Sequence, residues 1–110
     1  MQDTTYPKQA CMDAWLNCEN LLIAISQERV FFSQQIFQVV NECADICLTA
    51  LHALKSNCKN ISNLALLCVG ICEECADICD RYNDNLFKTC AATCRLCSDA
   101  FTPLALKTKQ

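Results

Sequence analysis

Glycine and proline are nearly missing from this chain: Gly70, Pro7 and Pro103 are the only examples in 110 residues. Loop-rich scaffolds stapled by disulfides use both residues freely at their turns, so the shortage argues against that class. It favours long helices joined by short links. Clustered positive charge is also lacking. Nine basic and twelve acidic residues are scattered along the chain for a net charge of −3, which excludes the basic footprint of a nucleic-acid binder. The longest uninterrupted apolar run, Leu64 to Cys72, is nine residues and too short to cross a bilayer. The first residues, Met-Gln-Asp-Thr-Thr-Tyr-Pro-Lys, carry neither the charged nor the apolar region of a signal peptide, which points to the reducing cytoplasm. What the chain does have is cysteine, twelve in all. In a reduced compartment, thiols in such numbers are metal ligands or catalysts before they are disulfides.

Apolar residues and cysteines share a spacing of three and four through four segments. The first holds Cys11, Trp15, Cys18, Leu22 and Ile25. The second holds Ile36, Val40, Cys43, Cys47, Leu51 and Leu54, with Cys58 in register if the helix runs that far. Ile61, Ala65 (or Leu64), Cys68, Cys72, Cys75, Cys79 and Tyr82 make the third, and Phe87, Cys90, Cys94, Cys97 and Phe101 the fourth. At about 100° per residue each set forms one helical stripe. The pattern predicts a single all-α domain over 1–110, an antiparallel up-down-up-down four-helix bundle with a cysteine-lined core. Its helices are expected near 7–27, 33–57, 60–82 and 85–102, with 104–110 a frayed tail. Pro7 suits a first turn. Ser33, and Asn60 or Ser62, are N-cap candidates after links at 28–33 and 57–63, Asn83-Asp84-Asn85 is a break, and Pro103 ends or closely follows the last helix. The triplet Asn60-Ile61-Ser62 matches a glycosylation site, which has no use in the cytosol.

The hexapeptide Glu-Cys-Ala-Asp-Ile-Cys occurs twice, at 42–47 and 74–79. Its Asp45 and Asp77 read as a solvated face, while its cysteines stand four apart. Cys43/Cys47, Cys68/Cys72, Cys75/Cys79 and Cys90/Cys94 are pairs at i, i+4; Cys72/Cys75 and Cys94/Cys97 are pairs at i, i+3. Such side chains lie one turn apart with Cβ atoms ~5–6 Å apart. That is wider than the ~3.5–4.5 Å a disulfide prefers, yet two sulfurs so placed can reach one ion. Soft thiolates select Cu(I), zinc and iron–sulfur clusters. Cluster spacings are absent. Zinc has a specific alternative in Cys72-x2-Cys75 and Cys94-x2-Cys97, separated by 18 residues, which would make a structural module. Cu(I) accepts two or three sulfurs, and a ladder of helical pairs holds many such ions by sharing. A thiol enzyme lacks a base: His52 is the only histidine, and it lies about 140° round the helix from Cys47. The chain reads as a non-enzyme.

The two hexapeptides, the row Cys68–Cys72–Cys75–Cys79 and the row Cys90–Cys94–Cys97 resemble the bacterial four-helix-bundle copper storage proteins. The likeness runs from about Cys11 to Phe101 and is strongest in the third and fourth helices. It implies storage or buffering of several Cu(I) ions in a bundle lined by Cys11, Cys18, Cys43, Cys47, Cys58, Cys68, Cys72, Cys75, Cys79, Cys90, Cys94 and Cys97. It also implies a homo-oligomer, often a tetramer, and a cytoplasmic branch of the family; a copper chaperone is a candidate supplier, and the scattered charge and short apolar runs leave no nucleic acid or membrane as partner.

Trp15, Leu22, Ile25, Ile36, Ala65, Phe87 and Phe101 stand where fuller members of that family would carry cysteine, so a reduced copper load is expected, and a member that has lost most copper binding is a further alternative. Antiparallel connectivity puts Leu22, Ile25, Ile36 and Phe87 at one end as a hydrophobic plug. Sulfur is then expected in the middle and toward the other end, near Cys11, Cys58, Cys68 and Cys97, where Met1 and Met12 also fall. Met12 reads as a packing residue, with handing on of copper as the alternative. His52 reads as a surface or subunit-contact residue, and Leu16, Leu48, Leu66 and Leu96 as candidates for subunit contact.

Overall fold

The structure, a computed structural model, describes residues 3–27 and 33–106. Met1, the link at 28–32 and the last four residues lie outside them, so the expectations placed there concern residues that are not described. Four helices, α1 (Thr5–Ser26), α2 (Gln34–Lys55), α3 (Ile61–Cys79) and α4 (Asn85–Ala105), make an all-α bundle 45 × 20 × 19 Å in extent. Each helix packs on two neighbours: α1 on α2 and α4, α3 on α2 and α4. The diagonal pairs stay apart, so the four stripes face one central column.

Local signals set the starts. The Ser33 hydroxyl accepts the Ile36 N–H at 3.3 Å and the Asp84 carboxylate accepts the Leu86 N–H at 2.8 Å, both from extended backbone. Each satisfies a first-turn donor that the helix itself leaves orphaned. Asp3 does the same for Thr5 at 2.9 Å.

The ends differ from expectation in three places. Helix α2 stops at Lys55, because Asn57 adopts a left-handed φ of 55°. The Asn57 N–H then reaches the Leu54 carbonyl (3.3 Å) and the Cys58 N–H reaches that of Ala53 (3.0 Å), a Schellman closure with asparagine in the place glycine usually takes. The reversal takes Cys58 off the stripe. Helix α3 ends at Cys79, and two tight turns, Arg81 N–H to Ile78 and Tyr82 N–H to Cys79, carry the chain onward. Tyr82 still packs inward, stacked on Phe87 with ring centroids 4.2 Å apart. Helix α4 runs through Pro103 to Ala105 rather than stopping before it. Proline in the last turn removes one N–H, and the buried Leu104 holds that turn against the core. Leu104 therefore belongs to the bundle and not to a frayed tail.

The first stripe is also shifted. The most deeply buried residues of α1 are Cys11, Ala14, Cys18, Leu21, Ala24 and Ile25, while Trp15 and Leu22 are half-buried at its edge. Ala14 leaves the column clear where the Trp15 indole would have filled it.

Ile25, Ile36 and Phe87 are buried at one end, as expected for the plug, joined by Val40 and with half-buried Leu22 against them. The opposite end corrects the expectation. It is capped by buried Leu51, Leu54, Ala65, Phe101 and Leu104 with Ile61 packed on them, so apolar side chains close both ends and sulfur occupies the middle. Each fully buried Leu or Phe among them contributes about 1.5–3 kcal/mol by leaving water.

Across the α3–α4 seam, the buried Ser98 hydroxyl donates to Glu73 Oε2 at 2.6 Å. Arg95 meets Asp77 at 2.9 Å and Asp80 at 2.8 Å on the surface. Asp45 and Asp77 of the repeated hexapeptide are both exposed, as is His52.

Candidate metal centre

Every cysteine is a free thiol, and eleven of the twelve have no exposed surface: Cys11, Cys18, Cys43, Cys47, Cys68, Cys72, Cys75, Cys79, Cys90, Cys94 and Cys97. Cys58 is the exception. It is exposed in the α2–α3 link, at the rim of a shallow depression lined by Thr4, Ala53, Leu54, Asn57, Ile61 and Leu104, and the structure does not bring it to the others.

The buried sulfurs make a continuous column, and its short steps run mainly between helices. Cys18 lies 3.6 Å from Cys90 and 4.0 Å from Cys94, and Cys43 is 3.6 Å from Cys94 and 3.8 Å from Cys72. Cys47 to Cys72 is 3.8 Å, Cys68 to Cys97 3.9 Å, and the within-helix step Cys68 to Cys72 3.9 Å. Helical spacing foresaw pairs along each helix; the bundle adds closer pairs across it, because four stripes of short side chains meet on one axis.

Three groups have all their sulfurs within 4.8 Å of one another: Cys18, Cys43, Cys75 and Cys94; Cys47, Cys68, Cys72 and Cys97; and Cys75, Cys79 and Cys90. Cys75 belongs to two of them. The zinc quartet read from the two C-x2-C pairs is not assembled, since Cys75 and Cys94 fall in one group and Cys72 and Cys97 in another. A helical C-x2-C pair points successive sulfurs to successive layers, whereas the knuckle of a zinc site turns both toward one ion.

Packed thiols share their protons unevenly. Hydrogen bonds from Cys43, Cys47, Cys68 and Cys94 pull the Cys72 thiol well below its ordinary range. Those from Cys18, Cys43, Cys79 and Cys90 do the same for Cys75. The donors move the other way. Cys47 is pushed up by Cys11 first and then by Cys43, Cys68 and Cys72, and Cys43 is pushed up chiefly by Cys18. Losing a second proton would put two negative sulfurs in contact within an apolar interior. The Cys11 sulfur turns to the backbone, donating to the Cys47 carbonyl at 2.7 Å.

Such a column can bind soft ions by displacing thiol protons, with each sulfur serving more than one ion. A family model described as "Copper storage protein" matches residues 1–105. The chain belongs to the copper storage protein family. The uncharacterized cysteine-rich protein YhjQ of Bacillus subtilis (strain 168) is 26% identical to it over 98 residues, 88% of this chain and 91% of that protein. Two solved structures share the fold. Apo copper storage protein 3 from Bacillus subtilis has a TM-score of 0.84 at 23% identity, covering 94% of this chain and 99% of that one. The Cu(I)-bound copper storage protein BsCsp3 has a TM-score of 0.85 at 24% identity, with the same coverage. In this copper storage protein Ile25, Ile36, Ala65, Phe87 and Phe101 are buried at stripe positions, so its sulfur column is shorter than the bundle.

Proposed function

We propose that this chain stores or buffers Cu(I), binding several ions through its core thiolates. The observation that carries this reading is the column of eleven buried free thiols in a member of the copper storage family. Cysteine at so many core positions thins the packing that Leu or Ile would supply, and metal binding accounts for that substitution. Ions bridge neighbouring sulfurs and share them between layers. Cys58 contributes nothing to this capacity.

A storage role needs no catalytic base, and His52 faces away from the sulfur. Thiols in this number stay reduced in the cytoplasm, which is where we place the protein, supplied by a copper chaperone. No helix among the described residues is long and apolar enough to cross a membrane. Exposed Leu66 and Leu67 flank Gly70 on α3 in an apolar strip with Ile71. Together with the family resemblance, this strip supports a homo-oligomer. Light scattering on the purified chain tests that point, and a monomer at all concentrations overturns it.

The deciding experiment for storage is a titration of the reduced, anaerobic protein with Cu(I) against a chromophoric chelator. Saturation at several ions per chain is expected. Saturation at none or one overturns the proposal.

A further inference from the structure

The described thiols divide in a way that copper storage alone does not require. Cys18, Cys43, Cys75 and Cys94 come one from each helix, with all four sulfurs within 4.8 Å of one another. Cys47, Cys68, Cys72 and Cys97 form a second such set from three helices. Cu(I) is satisfied by two or three sulfurs, whereas four sulfurs converging on one point suit a tetrahedral ion. With bonds of about 2.3 Å, the edges of a zinc tetrathiolate are about 3.8 Å. Cys43–Cys94 at 3.6 Å and Cys18–Cys94 at 4.0 Å in the first set bracket that edge. Cys47–Cys72 at 3.8 Å and Cys68–Cys72 and Cys68–Cys97 at 3.9 Å in the second agree with it.

We propose that these eight cysteines form two tetrathiolate sites for divalent d10 cations of the zinc and cadmium class. Each ion forms four metal–sulfur bonds and displaces to solvent the protons its four sulfurs carry, with no change of oxidation state. Each filled site carries two negative charges. The three remaining buried thiols flank the sites: Cys11 beside Cys47, Cys90 at 3.6 Å from Cys18, and Cys79 in one group with Cys75 and Cys90. A third divalent ion has no site, because the group of Cys75, Cys79 and Cys90 needs a sulfur the first tetrad already uses. The proposal stands on thiol geometry and does not rest on copper storage. Cu(I) and the divalent ion compete for the same sulfurs, so copper loading expels the divalent ions.

Cobalt(II) reports the geometry directly. The reduced full chain, titrated anaerobically with Co(II) and then with Zn(II), is expected to saturate at two equivalents. The cobalt form should show thiolate charge-transfer absorption and the intense visible bands of a tetrahedral tetrathiolate, both abolished by zinc. Cys18→Ser and Cys68→Ser should each lower the stoichiometry from two to one, and Cys58→Ser should leave it at two; helix content by circular dichroism identifies variants that fold. A pale octahedral spectrum, no saturation, or two equivalents retained by folded Cys18→Ser overturns the proposal. Should a variant fail to fold, the spectrum and stoichiometry of the unaltered chain still decide. Cu(I) titration of the same preparation separates the two readings: copper uptake without cobalt uptake sinks this one alone.

Discussion

At the scale of single residues, Cys72 stands 3.8–3.9 Å from the sulfurs of Cys43, Cys47 and Cys68, and hydrogen bonds from these neighbours pull its thiol well below the ordinary range. Removing it breaks the link between layers of the column as well as one ligand. Cys72→Ser is therefore expected to lower Cu(I) capacity by more than one ion per chain in the chelator titration, while Cys58→Ser leaves it unchanged. Equal effects of the two substitutions would contradict the assignment. The contrast also marks how far periodicity reaches. The eleven buried cysteines were legible as core positions from spacing alone. Cys58 was misplaced because its register holds only if the helix continues, and Asn57 in a left-handed conformation ends it. The asparagine was the available signal, since Asn is among the few residues that tolerate that conformation. Trp15 was misplaced for another reason: hydrophobicity favoured it over Ala14, but the column has room for a methyl group and not for an indole.

Among the elements, α2 and α3 each carry a backbone feature with a measurable energy. Asn57→Ala keeps the chain in a conformation that costs an ordinary L-residue about 1–2 kcal/mol, so a loss of that order is expected. Asn57→Gly should be neutral or stabilising. Gly70 lies mid-helix in α3, and a Cβ there would meet nothing within 4 Å. Gly70→Ala is expected to add about 0.5–1 kcal/mol by reducing the freedom of the unfolded chain. Urea unfolding of the metal-free protein checks all three, read as a shift in midpoint at constant slope. The four elements and their order were readable because the spacing of three and four is sustained over whole helices. The limits were less so. The cap at Ser33 and the break at Asn83-Asp84-Asn85 are chemical signals and marked two starts well, whereas the end of α4 depends on Leu104 finding the core past Pro103, which no local pattern announces.

For the whole molecule, the bundle has apolar closures at both ends and a sulfur column between them, so it is expected to fold without metal and to gain stability on loading by mass action. The column was legible as a set but not as a network. Which sulfurs meet across helices depends on axial register, and single-helix periodicity carries no information about that. The network in turn fixes how loading responds to pH. Cys43 and Cys47 are pushed up, so in the metal-free protein they keep their protons through neutrality. A Cu–S bond at either must expel a proton. Cys72 and Cys75 are pulled down and give theirs up more readily. Raising the pH removes the competitor at the raised thiols, so apparent Cu(I) affinity should climb from about pH 6 to about pH 8, by about tenfold per unit for each proton displaced. Chelator competition at fixed ionic strength, with proton release followed by an indicator dye, measures both quantities on one sample. Fewer protons released than sulfur bonds formed, most clearly at the higher pH, is the expected mark of the lowered thiols, which ionise first. An affinity independent of pH would mean that the column is deprotonated before copper arrives, and the proton sharing described for Cys43 and Cys47 would be wrong.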